Sequence, residues 1–347
     1  MKNSSVIKIV SAVLAAVLLV PSLLGCAGTK KAAGLDDGRA RPSNSGRLKV
    51  ADGRLCSESG EPVMLRGIGT NSLITCESFL NEALFSELAE DGVNVIRLAM
   101  YTYGVGVIGY CTGGDRERHL NDIGKGVELA RANDMYVIID WHILSDGDPN
   151  SYIEEAKLFF QEMAEKYKGY DNVLYEICNE PNGVDWASVK RYAEEIIPVI
   201  REKDPASLII VGTPDWSKDL ASAAADPLPY ENIMYTLHFY SASHGEDVRS
   251  AAKQAMDGGL PVFVTEFGIT ASSGDHPRDI ESADEWIALL ESEQVSWCMW
   301  SLSNAPEASA FIRSTVLKYS GYAEEDYSPT GIWFLDTLKK YTGKGVS

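Results

Sequence analysis

Positive charge is scarce in this sequence of 347 residues. Lys and Arg total 31 against 50 Asp and Glu, so the formal net charge is −19. No tract rich in Lys or Arg offsets this excess of acid. A chain of this charge repels nucleic-acid phosphates and anionic lipid, so we exclude nucleic acid as a partner, whereas a neutral substrate is compatible with it.

Signatures of common cofactors and metals are lacking as well. No Walker A loop is present, and no glycine-rich phosphate turn follows the first predicted strand. The six cysteines form no CxxC pair and no Cys/His zinc spacing. The first strand also lacks the HxH pair that is usual in barrel metallohydrolases. We therefore expect no cofactor and no catalytic metal.

The first 46 residues differ from the rest of the chain. Lys2 and Lys8 precede an apolar run, 9–20, that is short for a membrane-spanning helix, which is the order of an export signal. The sequence LLGC, ending at Cys26, resembles the lipobox of bacterial lipoproteins. We predict a lipoprotein signal over 1–26 with a lipidated Cys26, an ordinary cleaved signal being the alternative. A flexible tether over 27–46 would then join the domain to its only membrane contact, a lipid anchor at the cell surface or in the periplasm.

From residue 47 onwards, apolar β-branched runs alternate with amphipathic helical patterns. Near-continuous apolar runs are typical of parallel strands that are covered on both faces. About eight such repeats favour an α/β fold of the (β/α)8, or TIM-barrel, type over 47–347. A hairpin that turns at Asp52-Gly53 is expected to cap the barrel at its N-terminal end. The predicted strands cover residues 62–68, 93–99, 135–140, 173–178, 207–212, 233–239, 261–267 and 295–300.

Polar residues stand where the predicted strands end. Active sites of such barrels lie at the C-terminal ends of the strands. Burying so many polar groups is costly unless they share a purpose. The residues at these ends are Arg97, Asp140, His142, Asn179, Glu180, His238, Tyr240, Glu266 and Trp300.

Glu180 and Glu266 are the chemically decisive pair. Two carboxyl groups that face each other across a cleft cannot both ionise cheaply, so their pKa values should separate. Arg97 and Tyr240 favour Glu266 as the anion, and Glu180 is left as the acid. An acid and a nucleophile separated by about 5–5.5 Å form the machinery of a retaining glycosidase.

Six segments carry a specific resemblance to family 5 glycoside hydrolases of clan A, and in particular to their bacterial endoglucanase branch. The combination of NEP at the fourth strand with TEFG at the seventh is the most specific part. The resemblance spans about residues 47 to 340. The segments are NVIRLAM (94–100), VIIDWH (137–142), LYEICNEPNG (174–183), YTLHFY (235–240), VFVTEFG (262–268) and WSLSN (300–304).

The resemblance assigns roles to individual residues. It implies that Glu180 is the acid/base and Glu266 the nucleophile, and that Asn179 binds the 2-hydroxyl of the sugar under attack. Arg97 and Tyr240 would then orient the nucleophile.

The family pattern also covers the surroundings of the pair. His142 and His238 would bind hydroxyls or tune the carboxyl groups, and Trp300 would stack on a sugar ring. Asn71 stands where many of these endoglucanases have a His, and Ala305 where relatives often have a Lys, while Glu307 is retained. These two differences concern sugar binding on the non-reducing side.

The expected activity is retaining hydrolysis of internal bonds in a β-1,4-glucan. A β-mannanase or xyloglucanase of the same family is the alternative enzyme. A non-catalytic sugar-binding lipoprotein is the alternative from another class, although it would not need both carboxyl groups.

Overall fold

The structure is a computed structural model, and it describes residues 38–106 and 108–343. The predicted export signal and Cys26 lie outside the described residues. Within the described ranges, no helix is both long enough and apolar enough to cross a membrane.

A hairpin and a closed barrel make up the strands of the structure. Strands β1 (Lys49–Ala51) and β2 (Arg54–Cys56) pair antiparallel around Asp52-Gly53, where both residues have positive φ angles. The other eight strands are parallel, and the last pairs with the first. The predicted (β/α)8 barrel with an N-terminal hairpin is therefore confirmed. The barrel strands are β3 (Arg66–Thr70), β4 (Val95–Tyr101), β5 (Tyr136–His142), β6 (Val173–Glu176), β7 (Ile209–Val211), β8 (Ile233–Tyr240), β9 (Val262–Gly268) and β10 (Trp297–Leu302).

Helices cover the outside of the barrel. Several begin at an Asp whose carboxylate accepts a backbone N–H of the first turn, as Asp115, Asp185 and Asp279 do. Such caps fix where each loop from the strand ends returns to the helical layer. The helices are α1 (Pro42–Ser45), α2 (Glu82–Asp91), α3 (Arg116–Ala132), α4 (Ile153–Tyr167), α5 (Trp186–Lys203), the short turn α6 (Pro214–Ser217), α7 (Leu220–Ala225), α8 (Glu246–Asp257), α9 (Ile280–Ser292) and α10 (Pro329–Thr342).

The N-terminal end of the barrel is closed by the hairpin. Leu48 and Leu55 join a buried cluster with inward-facing strand residues such as Val95, Ile138 and Phe263. This cluster leaves the opposite end of the barrel open for polar side chains.

Residues 38–46 belong to the folded domain, which corrects the tether predicted over 27–46 for its last nine positions. Arg39 and Ala40 are buried. The Asn94 amide donates to the Ala40 carbonyl, and Tyr136 donates to the Gly46 carbonyl. The segment therefore packs across the bottom of the barrel.

Two sequence features have no separate role in this fold. The five cysteines of the described ranges, Cys56, Cys76, Cys111, Cys178 and Cys298, are free thiols. The sequence GVGVIG at 104–109 has the spacing of a phosphate-binding turn. Its glycines, Gly104, Gly106 and Gly109, follow β4, however, and the next helix begins only at Arg116, so they do not open a helix N-terminus.

Candidate active site

Glu180 and Glu266 face each other at the C-terminal end of the barrel. One carboxylate oxygen of each lies within 4.8 Å of the other. The side chains remain slightly accessible, since Glu180 is 8% and Glu266 5% exposed. This separation is of the size found in retaining glycosidases, whereas inverting enzymes leave about 6.5–9.5 Å for a water molecule.

Glu266 is held by one hydrogen bond to each of its oxygens. Arg97 Nη1 donates to Oε2 at 2.9 Å, and the Tyr240 hydroxyl donates to Oε1 at 2.7 Å. Two donors, one of them cationic, fix the orientation of this carboxyl group. The structure thus brings together Arg97, Tyr240 and Glu266 as the sequence predicted.

Strand β9 contains a bulge where Glu266 lies. Thr236 and His238 of β8 pair with Phe263 and Glu266, so three residue steps on β9 oppose two on β8. The pairing with β10 shows the same one-residue excess. A bulge of this kind lets consecutive residues share a face. Thr265 and Glu266 accordingly both reach the polar interior.

Glu176 is a member of the site that sequence reasoning did not identify. It forms a fork with Arg97, which donates from Nε to Oε2 at 2.7 Å and from Nη2 to Oε1 at 3.2 Å. The signal was visible in the sequence, because an acid interrupts the apolar run VLYEIC.

Arg97 is surrounded by three acidic groups. Besides Glu176 and Glu266, Asp140 Oδ2 lies 2.9 Å from its Nη2. These carboxyl groups raise the pKa of Arg97 well above its usual value, although burial acts in the opposite direction. Burial raises the pKa of Asp140 to about 8, with Arg97 opposing that shift. The guanidinium of Arg97 therefore holds three carboxyl groups together at the bottom of the cleft.

Glu180 lies in an environment that favours its protonated form. Burial raises the pKa of Glu180 to about 7; the Arg97 charge opposes this rise and Glu176 adds to it. His238 Nδ1 lies 2.9 Å from Glu180 Oε1. Burial lowers the pKa of His238 to about 4, so the imidazole is neutral near pH 7. The two glutamates thus have the different surroundings that an acid and a nucleophile need.

A row of rings lines the cleft beside the carboxyl pair. His142 stacks between Tyr101, with ring centroids 4.2 Å apart, and Trp300, with centroids 5.4 Å apart. Burial lowers the pKa of His142 to about 3, and its Nδ1 lies 2.6 Å from Asp140. Trp300 is 7% exposed, so only a small part of the indole can meet a ligand.

The Asn179 side chain is buried between Arg97 and His142. Its Oδ1 accepts a hydrogen bond from Arg97, and its Nδ2 donates to the Ile143 carbonyl at 2.9 Å. The second amide hydrogen faces His142 Nε2 at the long distance of 3.4 Å. Of the two amide hydrogens, this one therefore has the weaker contact.

Asn71 and Glu307 are not joined to the carboxyl pair by any hydrogen bond recorded among the described residues. Asn71 lies just after β3, and its Oδ1 accepts from the Ser72 backbone. Glu307 is exposed in the loop after β10 and accepts from Ser309 at 3.4 Å. Partial desolvation of its carboxyl group raises the pKa of Glu307. Both residues lie at the catalytic end of the barrel but farther out.

A left-handed turn beside Glu180 presents a tryptophan that sequence reasoning also missed. Asp215, Trp216 and Ser217 have φ angles of 58°, 55° and 58°, which is costly for residues other than glycine. The turn is fastened to the strand end that carries Glu180, since Trp216 N donates to the Pro181 carbonyl. Trp216 is 48% exposed. The indole is therefore an exposed aromatic ring on the loop that bonds the residue after Glu180, with Lys218 Nζ 5.5 Å from its ring centroid.

Glu180, His238 and Glu266 also have the spacing of a metal-binding group. Their environment does not suit a cation. Arg97 Nη1 already bonds Glu266 at 2.9 Å, so an added cation would face a fixed positive charge. Both oxygens of Glu266 are also engaged by hydrogen bonds.

Comparisons with known proteins agree with this geometry. Residues 56–306 match the family model described as cellulase (glycosyl hydrolase family 5). The chain is 45% identical over 300 residues to endoglucanase A of Butyrivibrio fibrisolvens, covering 85% of this chain and 69% of that protein. It is 42% identical over 329 residues to an endoglucanase of Clostridium saccharobutylicum, covering 94% of this chain and 71% of that protein.

A solved structure gives the same result. The catalytic domain of a Thermobifida fusca endoglucanase, crystallised with cellotetraose, is 37% identical and superposes with a TM-score of 0.80. The match covers 86% of this chain and 100% of that domain. The chain therefore belongs to glycosyl hydrolase family 5, the cellulase family, and is a glycoside hydrolase.

Proposed function

We propose that the protein is a retaining endo-β-1,4-glucanase that cleaves internal bonds of β-glucan chains by double displacement. The observation that carries this proposal is the pair of carboxyl groups, Glu180 and Glu266, with oxygens within 4.8 Å of each other. Endoglucanases are also the relatives with 45% and 42% identity, and one related domain was crystallised with cellotetraose.

In the first step, Glu266 attacks the anomeric carbon of the sugar. Arg97 and Tyr240 hold its oxygens, so one lone pair is directed into the cleft. Glu180 gives its proton to the glycosidic oxygen while the bond from that oxygen to the anomeric carbon breaks. The shortened chain leaves with a free hydroxyl, and a glycosyl ester of Glu266 remains.

In the second step, a water molecule attacks the same anomeric carbon. Glu180, now a carboxylate, accepts a proton from that water, and the ester bond to Glu266 breaks. Two inversions at one carbon retain the β configuration. The raised pKa of Glu180 suits it to exchange a proton in both steps.

The residues around the pair bind sugar in this proposal. The second hydrogen of Asn179 Nδ2 donates to the 2-hydroxyl at the reacting ring. Trp300 and His142 border that ring, and Trp216 offers a stacking face on the side of Glu180, where the leaving chain departs. Asn71 and Glu307 serve the sugars farther out.

A substrate panel tests the polysaccharide preference. Release of reducing ends from carboxymethylcellulose and from mixed-linkage β-glucan, with little from glucomannan or xyloglucan, supports the proposal. A rapid fall in viscosity at low conversion identifies attack on internal bonds. Preferred release from glucomannan would instead make the protein a β-mannanase.

The pH–rate profile should be bell-shaped, and its alkaline limb should report Glu180. Since burial raises the pKa of Glu180 to about 7, the acid form is lost, and kcat/KM falls, as the pH rises above that value. Initial rates on carboxymethylcellulose in overlapping buffers measure the profile. Rates that stay level from about pH 4 to 9 would contradict a carboxyl pair as acid and nucleophile.

We further propose that the protein is exported and anchored through lipidated Cys26, on the sequence grounds given above. Mass spectrometry of the mature protein should find Cys26 as an acylated N-terminal residue, with the protein in the membrane fraction. Replacement of Cys26 by Ala should release the protein from membranes. A mature chain that begins at Ala27 with a free amino group would contradict lipidation.

A further inference from the structure

The hydrogen bonds beneath Glu180 form one continuous chain. His238 Nδ1 lies 2.9 Å from Glu180 Oε1, and His238 Nε2 lies 2.9 Å from Thr265 Oγ1. Thr265 Oγ1 in turn lies 2.7 Å from Glu176 Oε1. All four side chains are buried. Each contact is a hydrogen bond with a single hydrogen. Once the donor and acceptor are known at one end of the row, they therefore follow for every other contact.

Glu176 fixes the lower end. Burial raises the pKa of Glu176, and the Arg97 charge opposes this rise. Both oxygens of Glu176 accept hydrogen bonds from Arg97, and a two-pronged contact with a guanidinium favours the ionised carboxylate. An ionised carboxylate can only accept. Thr265 has a single hydroxyl hydrogen, and it goes to this charged acceptor rather than to a neutral imidazole nitrogen. The shorter of the two contacts, 2.7 Å against 2.9 Å, is the one to Glu176.

His238 must then donate to Thr265 through Nε2. The Thr236 hydroxyl also contacts Thr265 Oγ1, and it donates there because the Thr265 hydrogen goes to Glu176. Thr236 Oγ1 accepts from the Thr265 backbone N–H at 3.3 Å. A neutral imidazole carries one hydrogen, so Nδ1 of His238 is bare. The contact of 2.9 Å between that nitrogen and Glu180 therefore needs a hydrogen on the carboxyl group.

We propose that Thr265, with Glu176 behind it, is a positioning residue that holds His238 in its Nε2–H tautomer and thereby keeps the catalytic proton on Glu180. The β9 bulge is what makes this possible, since it turns Thr265 inward beside Glu266. The β9 bulge thus places Glu266 in the cleft and, through Thr265 and His238, determines where the proton of Glu180 lies. The catalytic part of this inference rests on the proposed role of Glu180 as acid.

Other charged and titratable groups face Glu180 and His238 without forming this link. Among the described residues, none of them is recorded within hydrogen-bond distance of Glu180 or His238, so they shift the proton affinity through space and leave the tautomer to Thr265. They are Arg97 on β4, Tyr101 at the end of β4, Asp140 and His142 on β5, Lys218 after β7, Tyr240 on β8 and Glu266 on β9.

The tautomer can be observed without any substrate. Long-range ¹H–¹⁵N NMR spectra of the imidazole rings should show His238 with hydrogen on Nε2 in the wild type. Thr265→Val removes the acceptor of that hydrogen at nearly constant volume, so the hydrogen should move to Nδ1. Thr265→Ser keeps the hydroxyl and should keep the wild-type tautomer. Thr236→Val is the matched control. It removes the hydroxyl of a buried threonine that contacts Thr265, and it should also keep the wild-type tautomer of His238.

The pH–rate profile tests the consequence for Glu180. With hydrogen on Nδ1, His238 would stabilise the Glu180 carboxylate, so the alkaline limb of kcat/KM on β-glucan should move down by roughly one pH unit or more in Thr265→Val. Thr265→Ser should bring the limb back to the wild-type position.

Two results would overturn the proposal. One is a wild-type His238 with hydrogen on Nδ1, which decides the matter even if Thr265→Val does not fold. The other is a Thr265→Val protein whose tautomer or alkaline limb equals that of the wild type. If the tautomers behave as expected but no variant hydrolyses β-glucan, the proposed function fails while the assignment of the hydrogen-bond chain stands.

Discussion

Replacement of Glu266 by Gln should reduce kcat on carboxymethylcellulose by at least about 10⁴-fold, since removing a group that reacts covalently costs factors of this size. The amide has nearly the same shape as the carboxylate but lacks its nucleophilicity. The fold should survive, because Arg97 keeps its fork with Glu176 and its contact with Asp140. The thermal unfolding transition and the near-ultraviolet circular dichroism should therefore stay close to those of the wild type.

An exposed glutamate provides the matched control for that change. Glu281 lies in the first turn of α9, on the same end of the barrel as the cleft, and is exposed. Glu281→Gln makes the same chemical change outside the site and should keep the wild-type rate. A Glu266→Gln protein that retains a tenth or so of the wild-type kcat would show that another group attacks the sugar.

Replacement of Glu180 by Gln should slow the first step only for substrates whose leaving group needs a proton. On polysaccharide, kcat/KM should fall by roughly 10²–10⁴-fold, the usual contribution of general acid catalysis. On a dinitrophenyl cellobioside, the leaving group departs without a proton, so the first step should remain fast. The second step lacks its base, so the glycosyl enzyme should accumulate, with a burst of nitrophenolate followed by slow turnover.

Added azide sharpens this experiment. The anion needs no general base, so it should restore turnover of the Glu180→Gln protein on the dinitrophenyl substrate and yield a β-glycosyl azide. Intact-protein mass spectrometry should detect the glycosyl enzyme when azide is absent. An equal loss of kcat/KM on polysaccharide and on the dinitrophenyl substrate would mean that Glu180 is not the acid.

Much of this architecture could be predicted because its causes are local in the sequence. Apolar runs bounded by helical patterns placed each barrel strand within a few residues, as with 93–99 against the observed Val95–Tyr101. The fourth strand was predicted to end at residue 178 but ends at Glu176. Beyond it, the Asn179 backbone turns to the Trp141 carbonyl, and its own carbonyl accepts from Ser217. That contact comes from a distant loop and has no local signal.

The parts that sequence reasoning missed depend on distant contacts. Residues 38–46 look like a tether by composition, yet Arg39 and Ala40 are buried because partners such as Asn94 and Ala89 come from elsewhere in the chain. Thr265 resembles an ordinary strand threonine until the β9 bulge turns it inward. Glu180 and Glu266, in contrast, lie in the sequence motifs NEP and TEFG of the family, so they could be identified from the sequence.

The configuration of the first product distinguishes a retaining enzyme from an inverting one. Because oxygens of Glu180 and Glu266 lie within 4.8 Å of each other, no room is left for a water molecule between Glu266 and the anomeric carbon. Proton NMR spectra recorded in the first minutes of cellopentaose hydrolysis separate the two anomers before they interconvert. We expect the β anomer of the new reducing end to appear first and the α anomer to grow later. Initial release of the α anomer would contradict this expectation.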